Sequence, residues 1–201
     1  MLTRIALPTI AVVVLAAACS ESPTSRTLSP ANTAGLRDKG PGNSENEDNG
    51  DNGDRVQTLR LRDDCDPTSF NAALGAGACV GNGGTTLAEF NAELAINHFV
   101  GAWKMNPDHF GGVAGTVIDV TNRGGETHTF TPVVAFGGGI VPSLNQASGN
   151  TTVAPECANL NPQTIVPSGG HLHGSPLAVG THRFQCCIHP WMRTTATISA
   201  S

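Results

Sequence analysis

The 201-residue chain has no tyrosine, two tryptophans and an aromatic share of only 4%, which leaves too little large apolar surface for a conventional helical bundle. It also lacks any apolar run of the ~20 residues that a membrane-spanning helix needs. Lysine and arginine number 11 against 16 aspartates and glutamates, and no basic cluster forms a patch, so nucleic acid is not an expected partner. The acidic excess is local: nine acidic residues lie between Asp38 and Asp66, whereas residues 98–201 hold four of each sign. Among the cysteines there is no C-x-x-C, no C-x-x-C-H and no H-C-H, which removes thioredoxin-like, c-type haem and multicopper-oxidase chemistry. No nucleophile triad or paired acid/base carboxylates stand out in the C-terminal half, so an enzyme is not expected.

What is present is glycine and proline, 24 and 13 residues, the punctuation of a small turn-rich β domain. The N-terminus opens with Arg4 and an apolar run from Ile5 to Ala18, short enough for an export signal, so residues 1–18 read as a signal peptide. The run closes on L-A-A-A-C, which resembles a bacterial lipoprotein signal with Cys19 as the acylated residue; the other outcome is ordinary cleavage. Residues 19–60 are polar and rich in Pro, Gly, Asn and Asp, the composition of a disordered tether with a reach of roughly 35 Å. D-N-G-D-N-G-D within it lacks the distal Glu of a calcium loop. Residues 61–97 form an extension in which Cys65 and Cys79 can close a disulfide, and Thr86 with Glu89 makes a capping box for a helix whose Leu87, Phe90 and Leu94 share one face. That stripe reads as packing, without chemistry.

From His98 to the end, short strands dominate: 114–122, 127–136, 163–170, 175–186 and 192–199, with a long excursion over 137–162. No helical crossovers separate them, so residues 98–201 read as an all-β sandwich. Strand alternation puts Phe184 and Cys186 on the interior side, and His128 with Phe130 likewise, while Thr127, Thr129 and Thr131 face the other way. A thiolate, two imidazoles and a thioether at His128, Cys186, His189 and Met192 form a set that suits copper, since soft thiolate with imidazole and a weak axial thioether selects that ion.

The loop C-C-I-H-P-W-M, residues 186–192, resembles the C-x-x-H-x-x-M ligand loop of the cupredoxins, the plastocyanin- and amicyanin-like blue copper proteins, with the short spacing of amicyanins. V-I-D-V-T-N-R-G-G-E-T-H-T-F is similar to the strand, Asn-bearing turn and first histidine of that family. The resemblance covers residues 98–199 and implies a Greek-key sandwich holding one type 1 copper ion on His128, Cys186, His189 and Met192. It further implies a one-electron carrier between redox protein partners, read as a monomer, which the N-terminal signal would export to the periplasm or cell surface and Cys19 would hold to the membrane by its lipid. His189 would be the more exposed ligand and the electron port, with Pro190 and Trp191 beside it as an apolar docking rim, the other reading of Trp191 being ordinary core filling. Thr129 stands where the family commonly carries an Asn that steadies the ligand loop.

Reserving Cys186 for copper leaves four further cysteines after Cys19. The favoured pairing is Cys65 with Cys79 and Cys157 with Cys187, although four cysteines allow three connectivities. In the competing arrangement Cys186 is oxidised onto Cys157 or Cys187 and no blue copper site exists. Two other functions fit the same sequence: a copper-holding or copper-delivery lipoprotein, and a metal-free, disulfide-stapled envelope module. His171 and His173, two apart, are a candidate second metal pair, set against a glycine-flanked loop.

Overall fold

The computed structural model describes residues 55–200. The expected signal peptide, Cys19 and the tether as far as residue 54 lie outside the described residues. Strand β1 (Val56–Arg62) is followed by helices α1 (Pro67–Leu74) and α2 (Leu87–Asn97), then strands β2 (Lys104–Asn106), β3 (His109–Val113) and β4 (Val117–Asn122). Short strands β5 (His128–Thr129) and β6 (Thr131–Val133) precede helices α3 (Pro142–Ala147) and α4 (Pro155–Ala158). Strands β7 (Ile165–Val166), β8 (His171–His173), β9 (Gly180–Gln185) and β10 (Arg193–Ser199) complete the chain. They form two four-stranded sheets, ordered β2-β1-β4-β8 and β3-β10-β9-β6, and a two-stranded β5-β7 ribbon. One buried cluster draws Leu59, Leu61, Ile118 and Val120 from the first sheet and Phe110, Phe184, Ala196 and Ile198 from the second, the signature of a sandwich.

The sandwich starts 42 residues before its expected beginning at His98, at Val56. Strand β1 lies inside the first sheet, antiparallel to β2 and parallel to β4 over Val56↔Val117 to Leu61↔Asn122. The expected boundaries at 60 and 98 therefore fail. The reason is physical: only Leu59 and Leu61 of this strand point inward, while Thr58, Arg60 and Arg62 face solvent, so the segment has the polarity of a linker.

The extension after β1 packs by local signals that the sequence does carry. Asp66 caps α1 by accepting from the Thr68 and Ser69 amides, and the Thr86–Glu89 capping box starts α2. Cys65 and Cys79 form a disulfide. Phe70 and Phe90 carry the helices onto Trp103, with ring centroids 5.8 and 4.7 Å from the indole. The 137–162 excursion holds α3 and α4 and is joined to the sandwich through a second disulfide, Cys157–Cys187. Around that bond Val133, Ala154, Cys157 and Cys187 make a separate small core; Thr129 and Thr131, expected to face away from His128 and Phe130, are buried as well. Among the described residues, no helix is long and apolar enough to cross a membrane.

Candidate metal centre

Strand β4 ends in Asn122, whose side-chain amide donates to the Glu126 and Val166 carbonyls while its oxygen accepts from Gly124 N–H. This pins the turn 122–126 and delivers His128 at the start of β5. From the other side, β9 and β10 are joined by the tight connection 186–192, closed by Cys186 N–H to the Met192 carbonyl (3.0 Å) and Met192 N–H to the His189 carbonyl (2.9 Å). Arg193 braces that loop, its Nε donating to Pro190 O at 2.6 Å.

Together these elements bring His128, Cys186 and His189 into one buried group, with their donor atoms within 4.8 Å of one another. Cys186 Sγ lies 3.9 Å from Nδ1 of each histidine. An ion bound by about 2.0 Å to nitrogen and 2.3 Å to sulfur in a trigonal plane separates sulfur from nitrogen by roughly 3.7 Å, so the three donors suit a small metal ion with little rearrangement. One soft thiolate and two imidazoles, closed off from water, match copper better than the hard cations. Cys186 is the free cysteine among the described residues. Met192 is completely buried at the far end of the loop.

The thiol sits in a field that favours its anion. Burial opposes ionisation, but the two imidazoles outweigh it and hold the Cys186 thiol well below its usual range. The Thr129 and His189 amides also point at the sulfur, at 3.4 and 3.5 Å. Burial works against charge on His128 as well, yet Asp63 and the Cys186 sulfur raise it to about 9.

Two carboxylates that drew no attention in the sequence stand behind the imidazoles. His128 Nε2–H donates to Asp63 Oδ2 at 2.8 Å, with both side chains closed to solvent. His189 Nε2 lies 3.5 Å from Glu126 Oε2, the same oxygen that accepts from Trp103 Nε1 at 2.5 Å. Burial pushes the Glu126 carboxyl up, opposed by His189 and the indole N–H. His–carboxylate pairing is a common way to hold a ligand ring in one orientation. Neither partner had a sequence signal: Asp63 belongs to a distant acidic stretch, and Glu126 is one polar residue in a turn.

His189 departs from its expected exposure. It is only 3% exposed, because Phe90, Trp103 and Trp191 surround the ring with centroids 6.4, 6.5 and 5.5 Å away. Helix α2, read as mere packing, supplies part of this cover. The expected docking rim is absent in that form too: Pro190 is buried and Trp191 half-buried against Phe90.

Thr129 takes over the steadying of the loop. Its hydroxyl accepts from Cys187 N–H at 2.7 Å and from the Thr131 hydroxyl at 3.0 Å. Thr129→Val keeps the shape and strands the buried Cys187 amide, so it is expected to cost about 1–3 kcal/mol; urea midpoints of the two proteins measure this.

His171 and His173 lie on the edge strand β8, not in a loop. His171 Nδ1 meets the Thr121 hydroxyl at 3.2 Å and His173 Nδ1 lies 3.6 Å from Asp119. The two histidines and Asp119 do not close into a compact donor set; among the described residues only His128, Cys186 and His189 bring three donor atoms within 4.8 Å of one another.

Two facing sheets with these donors collected at one end, on β5 and on the β9–β10 loop, make a cupredoxin-like β-sandwich. No protein-family model matches the chain, and no curated protein matches it. Solved structures are similar. A purple cupredoxin from Nitrosopumilus maritimus is 13% identical, over 71% of this chain and 98% of that one, with a TM-score of 0.40. Oxidized plastocyanin from Dryopteris crassirhizoma is 14% identical, over 71% and 100%, with a TM-score of 0.37. A reduced amicyanin variant is 15% identical, over 46% and 70%, with a TM-score of 0.31. The likeness is one of outline, and the chemistry rests on this chain's own side chains.

Proposed function

We propose that this domain is an extracytoplasmic one-electron carrier that holds a single copper ion on His128, Cys186 and His189, with Met192 as a weak axial ligand. The observation that carries the reading is the convergence of one free thiol and two Nδ1 atoms, all buried, in a chain whose other described cysteines are paired. Bound copper supplies an interconvertible cupric and cuprous pair. The chain's part is to keep the donors in place: the disulfide at Cys187, the Thr129 hydroxyl and the Arg193 brace all restrain the ligand loop. A rigid donor set needs little rearrangement when charge changes, which favours electron transfer.

Burial of His189 also favours a carrier over a delivery protein, since handing on the ion requires a ligand that an incoming chelator can reach. The two disulfides support export to an oxidising compartment. Anchoring through Cys19, and redox proteins as partners, complete the proposal.

The test is the visible spectrum of the chain reconstituted with Cu(II), beside Cys186→Ser. An intense thiolate-to-copper band, lost in the variant, is expected. A colourless protein whose Cys186 thiol titrates as free overturns the copper assignment and leaves the metal-free module as the better reading.

A further inference from the structure

The residue of most interest outside the donor set is Asp63, which comes from the N-terminal part of the chain. Its two oxygens accept four hydrogen bonds. Oδ2 takes His128 Nε2–H at 2.8 Å and Glu126 N–H at 3.1 Å; Oδ1 takes Gly125 N–H at 2.8 Å and Cys65 N–H at 3.3 Å. Every partner is an N–H donor, so no proton is left for the acid form to place, and the group is a carboxylate by hydrogen-bond count. It has no contact with solvent.

The fold builds this arrangement deliberately from two directions. Asp63 follows directly on β1, whose register against β4 is set by six residue pairs, and Cys65 two positions on is tied to Cys79. The opposite wall is the turn Gly124–Gly125, where a β-carbon on Gly124 would overlap the Asp63 carboxylate and one on Gly125 would press on Cys65 Sγ at 2.6 Å. The double glycine of the turn is thus the imprint of an anion seated against it.

We propose that Asp63 is a positioning residue for the metal centre: it locks His128 with Nδ1 turned toward Cys186, and its buried negative charge favours the cupric over the cuprous state. The proposal rests on the copper reading above. A carboxylate accepting from Nε2–H leaves Nδ1 with its lone pair free, which is the tautomer a ligand must have. Behind the ring it also lies within the range where charges interact strongly in a buried site. Cu(II) carries one more positive charge than Cu(I), so the same anion stabilises it more and lowers the reduction potential.

The experiment uses the full chain loaded with copper and the variant Asp63→Asn, whose amide can present a donor to Nε2 and so disfavour the ligating tautomer. The dissociation constant for Cu(II) is expected to rise about 10–100-fold. The constant for Cu(I) is expected to rise at least tenfold less, which moves the midpoint potential upward by about 59 mV for each tenfold difference. Asp63→Glu, which keeps the anion, should recover part of both. In the wild-type Cu(I) protein, nitrogen-15 NMR should show a proton on His128 Nε2 in slow exchange with solvent.

A folded Asp63→Asn protein with an unchanged potential and an unchanged ratio of constants overturns the proposal, and so does a wild-type His128 without a proton on Nε2. The NMR result decides alone if the variant does not fold. Absence of the thiolate-to-copper band in the wild type fells the copper reading and this inference with it; a normal band with an unmoved potential fells this inference only.

Discussion

A chain begun at residue 98, where strands become obvious in the sequence, is expected not to fold. The truncation removes β1 from between β2 and β4, so the first sheet loses a strand with neighbours on both edges. It also removes Leu59, Leu61, Phe70 and Phe90, each at most 4% exposed. At about 1.5–3 kcal/mol for each buried apolar side chain, those four account for roughly 6–12 kcal/mol, as much as the whole stability of an ordinary domain, about 5–15 kcal/mol. A chain begun at residue 55 keeps all of these contacts and is expected to fold. Far-ultraviolet circular dichroism and amide dispersion in a proton–nitrogen spectrum distinguish the two, and a dispersed spectrum from residues 98–201 would refute the expectation.

The second large effect is expected at Trp103. Its indole is 1% exposed, stacked on Phe70 at 16° and edge-on to Phe90. Trp103→Ala opens a cavity in that cluster, at a cost of about 3–5 kcal/mol. It also takes the indole N–H from Glu126, whose carboxyl is buried, and an orphaned buried acceptor adds about 1–3 kcal/mol. The two terms share one site and do not simply add, so a loss of at least ~4 kcal/mol is expected in urea unfolding of the metal-free protein. Trp103→Phe keeps most of the ring and loses the N–H, and should show the second term nearly alone. An alanine variant within ~1 kcal/mol of wild type would mean that the cluster collapses around the gap and contributes little.

The gathering of His128, Cys186 and His189 was legible in the sequence for a specific reason. Cys186, His189 and Met192 are held by one short loop, so their spacing in space follows from their spacing in the chain, and His128 is fixed by strand alternation. Asp63 and Glu126 lack that property. Asp63 reaches His128 across 65 residues through the parallel register of β1 on β4, and a parallel pairing leaves no turn in the sequence to announce it. Strand β1 itself stayed hidden because two of its seven residues are outward-facing arginines. The helix face of Leu87, Phe90 and Leu94 was visible as amphipathic, but what it covers is set by tertiary packing. Burial of His189 was therefore out of reach, as was the disappearance of the Pro190 and Trp191 rim. Thr129 and Thr131 are buried too, and the groups their hydroxyls meet, Thr164 and the Cys187 amide, come from elsewhere in the chain.

Strand register has a further consequence at Cys186 and Cys187. The two thiols are chemically identical neighbours, yet one joins the large core beside the histidines and the other joins the small core beside Cys157. They sit just past the end of β9, where the chain leaves the strand, and their side chains part into different clusters. The pairings Phe184↔Thr194 and Gln185↔Arg193 between β9 and β10 set where the chain enters this loop, and with it which sulfur lies beside Cys157. They decide which sulfur is offered to an oxidant and which is kept as a thiol. A slip of one residue would exchange the two, sealing the donor into a disulfide and leaving the spare thiol on the wrong side. Had Cys157 been joined to Cys186 instead, the thiol between His128 and His189 would be gone, so it is the choice of Cys187 as the bonded neighbour that leaves that sulfur free.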